Sequence, residues 1–258
     1  MVLCLPTFRK TRLQKALFGG SFYFSSFPFY SGLSFNSYTT RLTVLSSVNS
    51  SEQIVAFVVG FFTGLSSGAS VTIAQFFGAK DSRSANKGLH TAYAIAAFGG
   101  LILTVSGIIL TPFLLEMMNT PADIVADSAV YLRIYFAGII FVLIYNMGSA
   151  ILRATGDSKR PLYYLIVCCI INIVLDVLFV IVFHMGVMGV AVATLIAQAV
   201  SAVLVTLKLM RSEGILKLSV KQIRFHGSIL KMQLKLGLPT GFEAILFSIT
   251  NIAIQSAV

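Results

Sequence analysis

Charge is scarce in this sequence. Asp, Glu, Lys and Arg make up 11% of the 258 residues, where a water-soluble domain carries about 25%. Hydrophobic residues make up 57%, so there is too little polar surface to face water. A soluble globular class is excluded, and an all-α protein that crosses a bilayer several times is implied. Cysteine is scarce as well: Cys4, Cys168 and Cys169 have no ligand-like spacing and build no disulfide framework. The adjacent pair sits inside an apolar run, where it packs as small apolar side chains. There is no His-rich cluster, no HExxH and no nucleophile–base pair, which argues against an enzyme and against a resident metal or organic cofactor.

What is present is an alternation. Apolar segments at about 54–77, 91–115, 130–151, 162–183, 187–209 and 237–258 each have roughly the 20 residues a helix needs to span. Unbroken apolar runs mean helices, because in lipid every backbone group must be satisfied within the segment. Basic residues fall in alternate gaps. Lys80, Arg83 and Lys87 lie in 78–90, and Arg153, Lys159 and Arg160 in 152–161. Lys208, Arg211, Lys217, Lys221, Arg224, Lys231 and Lys235 lie in 208–236. The gap 116–129 holds Glu116, Asp123 and Asp127 without a Lys or Arg. The basic gaps are therefore cytoplasmic. The net charge of +10 reads as a topology signal rather than a nucleic-acid stripe, and the bilayer is the expected partner.

Residues 1–50 break the pattern. They are rich in Ser, Phe and Tyr, interrupted by Pro28, and contain no clean span. Yet Arg9, Lys10, Arg12 and Lys15 belong in the cytoplasm, so a crossing is needed within 16–50. No signal-peptide core follows the basic cluster. The expected organisation is an aberrant or disordered segment at 1–50, a helical lobe at 51–210, a basic cytoplasmic linker at 211–236 and a last helix at 237–258. Gly60, Gly64 and Gly68 recur every four residues, as do Gly189, Ala193 and Ala197. Such stripes let helix backbones approach closely.

One acid lies inside a span. Asp176 near a helix centre costs roughly 2.5–3.5 kcal/mol on insertion scales. Asn172 is four residues earlier and shares its helix face. At 1.5 Å per residue, Asp176 lies about 5 Å outward of its helix midpoint and Thr194 about 6 Å outward of the next. Amide, carboxylate and hydroxyl therefore reach similar depth on antiparallel neighbours, a set that suits a proton or Na⁺. The alternative is a structural carboxyl group bonded between helices, with Thr194 bonded to its own helix. His184 is expected at the outer interface. Glu243 is expected to reach the interface or to pair with Lys235.

Three stretches resemble a known family: GLSSGASVTIAQFFGAKD (64–81), AILRATGDSKRPLYYLIVCCIINIVLDVLFVIVFHMGVMGVAVATLIAQAVSA (150–202) and LGLPTGFEAILFSITNIAIQSA (236–257). They are similar to the bacterial-type branch of the multidrug and toxic compound extrusion (MATE) transporters. The resemblance covers about 50–258 and implies a twelve-helix antiporter fold of two six-helix lobes. The chain would then be a fragment: one lobe with an aberrant first helix, plus the start of the second lobe.

The resemblance further implies a multi-pass protein of the inner (plasma) membrane. It would export small cationic or amphipathic compounds in exchange for Na⁺ or H⁺. It places Asn172 and Asp176 at the family's fifth-helix cation-site positions, Thr194 on the sixth and Tyr131 on the fourth. The family's first-helix acid has no counterpart, since the first acidic residue is Glu52. Two other readings stand beside it. One is a lipid-linked saccharide flippase of the same superfamily, for which Arg133 is the chief intramembrane cation. The other is a non-functional truncated or accessory membrane protein.

Overall fold

The computed structural model of the protein describes residues 38–117, 124–212 and 214–256. They form six α-helices: α1 (Tyr38–Gly78), α2 (Ser82–Met117), α3 (Val125–Ala154), α4 (Lys159–Val177), α5 (Gly186–Met210) and α6 (Gly227–Ser256). Among the described residues there is no strand. Stretches in α1 to α5 are long and apolar enough to cross a bilayer: Val58–Gly78, Ser82–Met117, Val125–Ala154, Lys159–Val182 and Gly186–Met210.

Helix α3 is the centre of the bundle. It packs on α1, α2 and α5, while α4 leans mainly on α5. The arrangement follows from where the bulky side chains lie. Leu143, Met147, Ile151 and Leu152 of α3 close a core with Leu89 and Tyr93 of α2 and Val205 and Leu209 of α5. The outward faces remain apolar: Leu101, Ile102, Val105 and Ile109 on α2, and Ile166, Ile170 and Val174 on α4, are exposed. A continuous apolar exterior of this extent is covered by lipid rather than water.

Local chemistry sets the turns at the end of the bundle that carries the basic gaps. Asp81 caps α2, its Oδ1 accepting the Ser84 backbone N–H at 3.0 Å. Hydrogen bonding from Ser84 holds the Asp81 carboxyl below its ordinary value. Gly156 (φ +90°) makes the turn into α4. Asp157 next to it accepts the Arg160 N–H at 3.2 Å and its guanidinium at 2.7 Å. At the outer end, His184 (φ +53°) and Gly186 (φ +57°) reverse the chain between α4 and α5, and His184 is exposed there.

Several boundaries differ from the sequence reading. Residues 38–50 are helical and continue into the first span without a reversal. The 41 residues of α1 run about 60 Å, twice the hydrocarbon thickness. The rest of the aberrant segment, 1–37, lies outside the described residues. Helix α6 begins at Gly227, so the linker is 211–226 and residues 227–236 are helical. Nor does α6 stand alone. It packs along α1, where Gly64 faces the backbone of Gly241, and Gly68 that of Gly237. Thr240 donates to the Gly64 carbonyl at 2.9 Å, and the fully buried Gln233 donates to the Gly88 carbonyl of α2 at 3.0 Å.

The topology has a direct test. Ser128, in the outer gap by sequence, is fully buried in the first turn of α3, whereas neighbouring Asp127 is exposed. In a background without native cysteine, Ser82→Cys and Ser212→Cys react with an impermeant maleimide from the cytoplasmic side only. Asp127→Cys reacts from the outside only. Labelling of Ser82→Cys and Asp127→Cys from one side would contradict this orientation.

Candidate ion-coupling site

Helix α4 is mostly lipid-facing, and its buried side chains are few: Pro161, Cys168, Asn172 and Asp176. The last three are spaced by four, so they form one stripe along the helix. That stripe meets α5. Cys168 Sγ donates to the Ala197 carbonyl at 3.2 Å. One turn outward, Asn172 Nδ2 donates to Thr194 Oγ1 at 3.4 Å. Asp176 follows one turn further out, and only 5% of its surface is exposed.

Thr194 behaves differently from most intramembrane threonines of this chain. Thr63, Thr72, Thr91 and Thr111 each turn back to the carbonyl four residues earlier. Thr194 instead accepts the Asn172 amide across the helix interface, against the sequence alternative of a back-bonded threonine.

The polar atoms that remain are informative. Asn172 Oδ1 and Asp176 Oδ1 are buried and have no protein hydrogen-bond partner. Buried polar atoms are normally paired, and an exception points to a ligand or a functional role. Both are oxygens, the donor type preferred by hard cations, and one belongs to a carboxyl group that can also take a proton. Among the described residues, no group of three or more His, Cys, Asp or Glu is placed to hold a metal ion. The stripe thus offers one carboxyl oxygen and, one helical turn away on the same face, one amide oxygen without a protein partner.

Tyr131 is buried in α3 and joins the outer end of this interface. It clusters with Val180, just beyond Asp176, and with Val187, Val190 and Ala191 of α5. Its ring stacks with Tyr135 at 6.4 Å. Among the remaining charged residues weighed from sequence, Arg133 and Glu243 are both exposed. The ion pair among the described residues is Arg160–Asp157, so Glu243 is not paired with Lys235.

Two features escaped the sequence reading. Immediately after Asp176, the helix widens into a π turn at Leu178–Val182. Such turns occur often at functional sites, and no residue-type signal announces this one. The second is Gln198, buried one turn inward of Thr194 with an unpartnered Oε1. Its spacing of four from Thr194 within an apolar helix was a legible signal.

The MatE family model matches residues 18–178, which include α1 to α4. The chain belongs to the MatE family. The matched range begins well before residue 50, so it takes in part of the segment that looked foreign by composition. "Probable multidrug resistance protein YoeA" of Bacillus subtilis is 32% identical over 221 residues, covering 83% of this chain and 48% of that protein. Among solved structures, the inward-facing conformation of a multidrug resistance MATE family transporter of the MOP superfamily aligns with a TM-score of 0.75 at 25% identity. The match covers 80% of this chain and 47% of that one. The outward-facing conformation of such a transporter aligns with a TM-score of 0.76 at 25% identity, over 82% and 47%. This MatE chain thus spans about half the length of the curated relatives it matches. The family consists of membrane transporters, not enzymes.

Proposed function

We propose that this MatE chain forms one lobe of a secondary antiporter of the plasma membrane. The transporter exports small cationic or amphipathic compounds, and the returning Na⁺ or H⁺ is bound at Asp176. The observation that carries the reading is the pair of buried oxygens without protein partners, Asn172 Oδ1 and Asp176 Oδ1, beside Thr194. An ion or proton arriving there supplies the partner that these oxygens lack within the protein. Its binding therefore changes the energy of the α4–α5 interface, and a two-state transporter needs a differential contact of this kind. Tyr131, packed at the outer end of the same interface, belongs to this coupling network.

The near-equal agreement with inward- and outward-facing relatives supports a lobe that keeps its shape between states. Alternating access then arises from rocking one lobe against another around a fixed site. This makes a simple prediction for the 258 residues themselves. Expressed alone in a drug-sensitive host, they reach the membrane and leave resistance to cationic dyes and drugs unchanged. Joined in frame to the second half of YoeA, they raise it several-fold. Export by the chain alone at the level of the joined protein would overturn the one-lobe reading.

A further inference from the structure

The cytoplasmic linker, read from sequence as a topology signal, does not hang free. It folds back on the first turns of α2. His90 Nε2 accepts the Ser219 N–H at 3.1 Å, and Asn86 Nδ2 donates to the Lys217 carbonyl at 3.3 Å. The His226 backbone N–H donates to Thr91 Oγ1 at 3.4 Å, and the His226 ring lies 3.1 Å from the same oxygen. Between the two segments lies a cavity of about 470 Å³, lined by Arg83, Asn86, Lys87 and His90 from α2 and by Lys221, Gln222, Arg224 and His226 from the linker. Four of these side chains are formally cationic, and no carboxylate lines the cavity. None of the four makes an ion pair among the described residues.

Like charges gathered in one pocket repel each other, and a counter-charge offsets that repulsion. The pocket is also organised for one. Arg224 Nε donates to His226 Nε2 at 3.3 Å, which orients the guanidinium. Burial, and then the cations of Arg224 and Lys87, hold His226 below the ordinary histidine value, as expected of a site with positive potential. The first turns of α2 line one wall, and the N-terminal end of a helix favours negative charge.

The apolar surface beside the cavity points to the carrier of that charge. Phe225, next to Arg224, packs its ring 5.2 Å from that of Phe98. Both rings are half exposed, and Phe98 opens the lipid-facing stripe of Leu101, Ile102 and Val105 on α2. The two rings lie outside the residues that line the cavity, and through Phe225, the chain neighbour of Arg224, an apolar pair adjoins the cationic lining.

We propose that this pocket binds the phosphate group of an anionic phospholipid of the inner leaflet, with its acyl chains lying over Phe225 and Phe98. The bound headgroup bridges α2 to the linker and fixes the entry of α6. A free phosphate shares the headgroup chemistry but makes no use of the apolar pair.

The test uses native mass spectrometry of the purified chain in mixed phosphatidylglycerol–phosphatidylcholine micelles. The chain retains phosphatidylglycerol in preference to phosphatidylcholine. Lys87→Gln with Arg224→Gln lowers that preference about 25-fold, since each removed cation near an anionic surface is worth roughly fivefold. Lys87→Arg with Arg224→Lys keeps the charge and the preference, which separates loss of the site from loss of the fold. Lys159→Gln with Arg160→Gln, on the neighbouring cytoplasmic loop, leaves it unchanged. An equal loss from that control pair would mean a diffuse cationic face and overturn the pocket. A separate arm adds inorganic phosphate to the chain in phosphatidylcholine alone. Thermal stabilisation there equal to that given by phosphatidylglycerol would overturn the lipid assignment.

Discussion

In a transporter that joins this lobe to a second one, Asp176→Asn abolishes ion-driven export and leaves membrane insertion intact. The substitution keeps the size and planarity of the side chain, so the packing of α4 on α5 is preserved. It removes the one carboxyl group among the buried polar side chains where α4 meets α5: Asp176, Asn172, Cys168, Thr194 and Gln198. Asn also requires no counter-charge in the membrane, so insertion becomes easier by part of the roughly 2.5–3.5 kcal/mol that an acid costs there. Asn172→Ala and Thr194→Ala each remove one neutral oxygen and break the 3.4 Å bond between them, while the acid remains. Each should weaken coupling about tenfold, the value of a hydrogen bond near 1.5 kcal/mol. The measurement is dye efflux from proteoliposomes driven by an imposed Na⁺ or H⁺ gradient. Wild-type rates from Asp176→Asn would make the acid a structural hydrogen-bond partner and move the coupling site to the other lobe.

The residues of this site could be read from sequence because their constraint is local and strong. An acid in hydrocarbon is expensive, Asn172 lies one helical turn from it, and a short turn brings the next helix back beside both. Depth counted at 1.5 Å per residue was enough to align Thr194, and the structure brings Asn172 and Thr194 into contact. The apolar runs likewise marked the five spans of α1 to α5, although α2 begins at Ser82, inside the basic 78–90 gap. Hydropathy does not report which loop folds onto which helix. The contact between Thr91 and His226 spans 135 residues, and nothing near either residue names the other. Lys87 and Arg224 were therefore visible only as topology signals, although in the fold they share a pocket. The start of α6 was missed for a similar reason. Residues 227–236 carry Lys231 and Lys235 and read as linker, but buried Ile229 and Gln233 turn one face of that stretch onto α1 and α2.

The glycine stripe of α1 gives the largest expected effect on stability. Gly64 and Gly68 were read as close-packing positions, and the structure shows what they approach. A Cβ at Gly68 would overlap the backbone of Gly237 and come within 2.6 Å of the Gln233 carbonyl oxygen, and one at Gly64 would overlap the backbone of Gly241. The obstacle in both cases is backbone, which cannot swing aside as a side chain can. Intrinsic helix propensity favours Ala over Gly by about 1 kcal/mol, so propensity alone would make Gly68→Ala stabilising. Steric overlap decides the sign the other way. The helices must separate, which strains the Thr240 bond to the Gly64 carbonyl and loosens the seat of Gln233. Overpacking of this kind costs roughly 1–3 kcal/mol, and each kcal/mol corresponds to about 2–4 °C in midpoint for a chain of this size. Gly68→Ala should therefore lower the unfolding midpoint of the detergent-solubilised chain by several degrees, and Gly64→Ala with Gly68→Ala by more. Gly78→Ala is the control, because nothing lies within 4 Å of a Cβ there, and it should be neutral or slightly stabilising. If the paired substitution were as harmless as Gly78→Ala, α1 and α6 would not be packed backbone to backbone, and the last helix would have to be seated elsewhere.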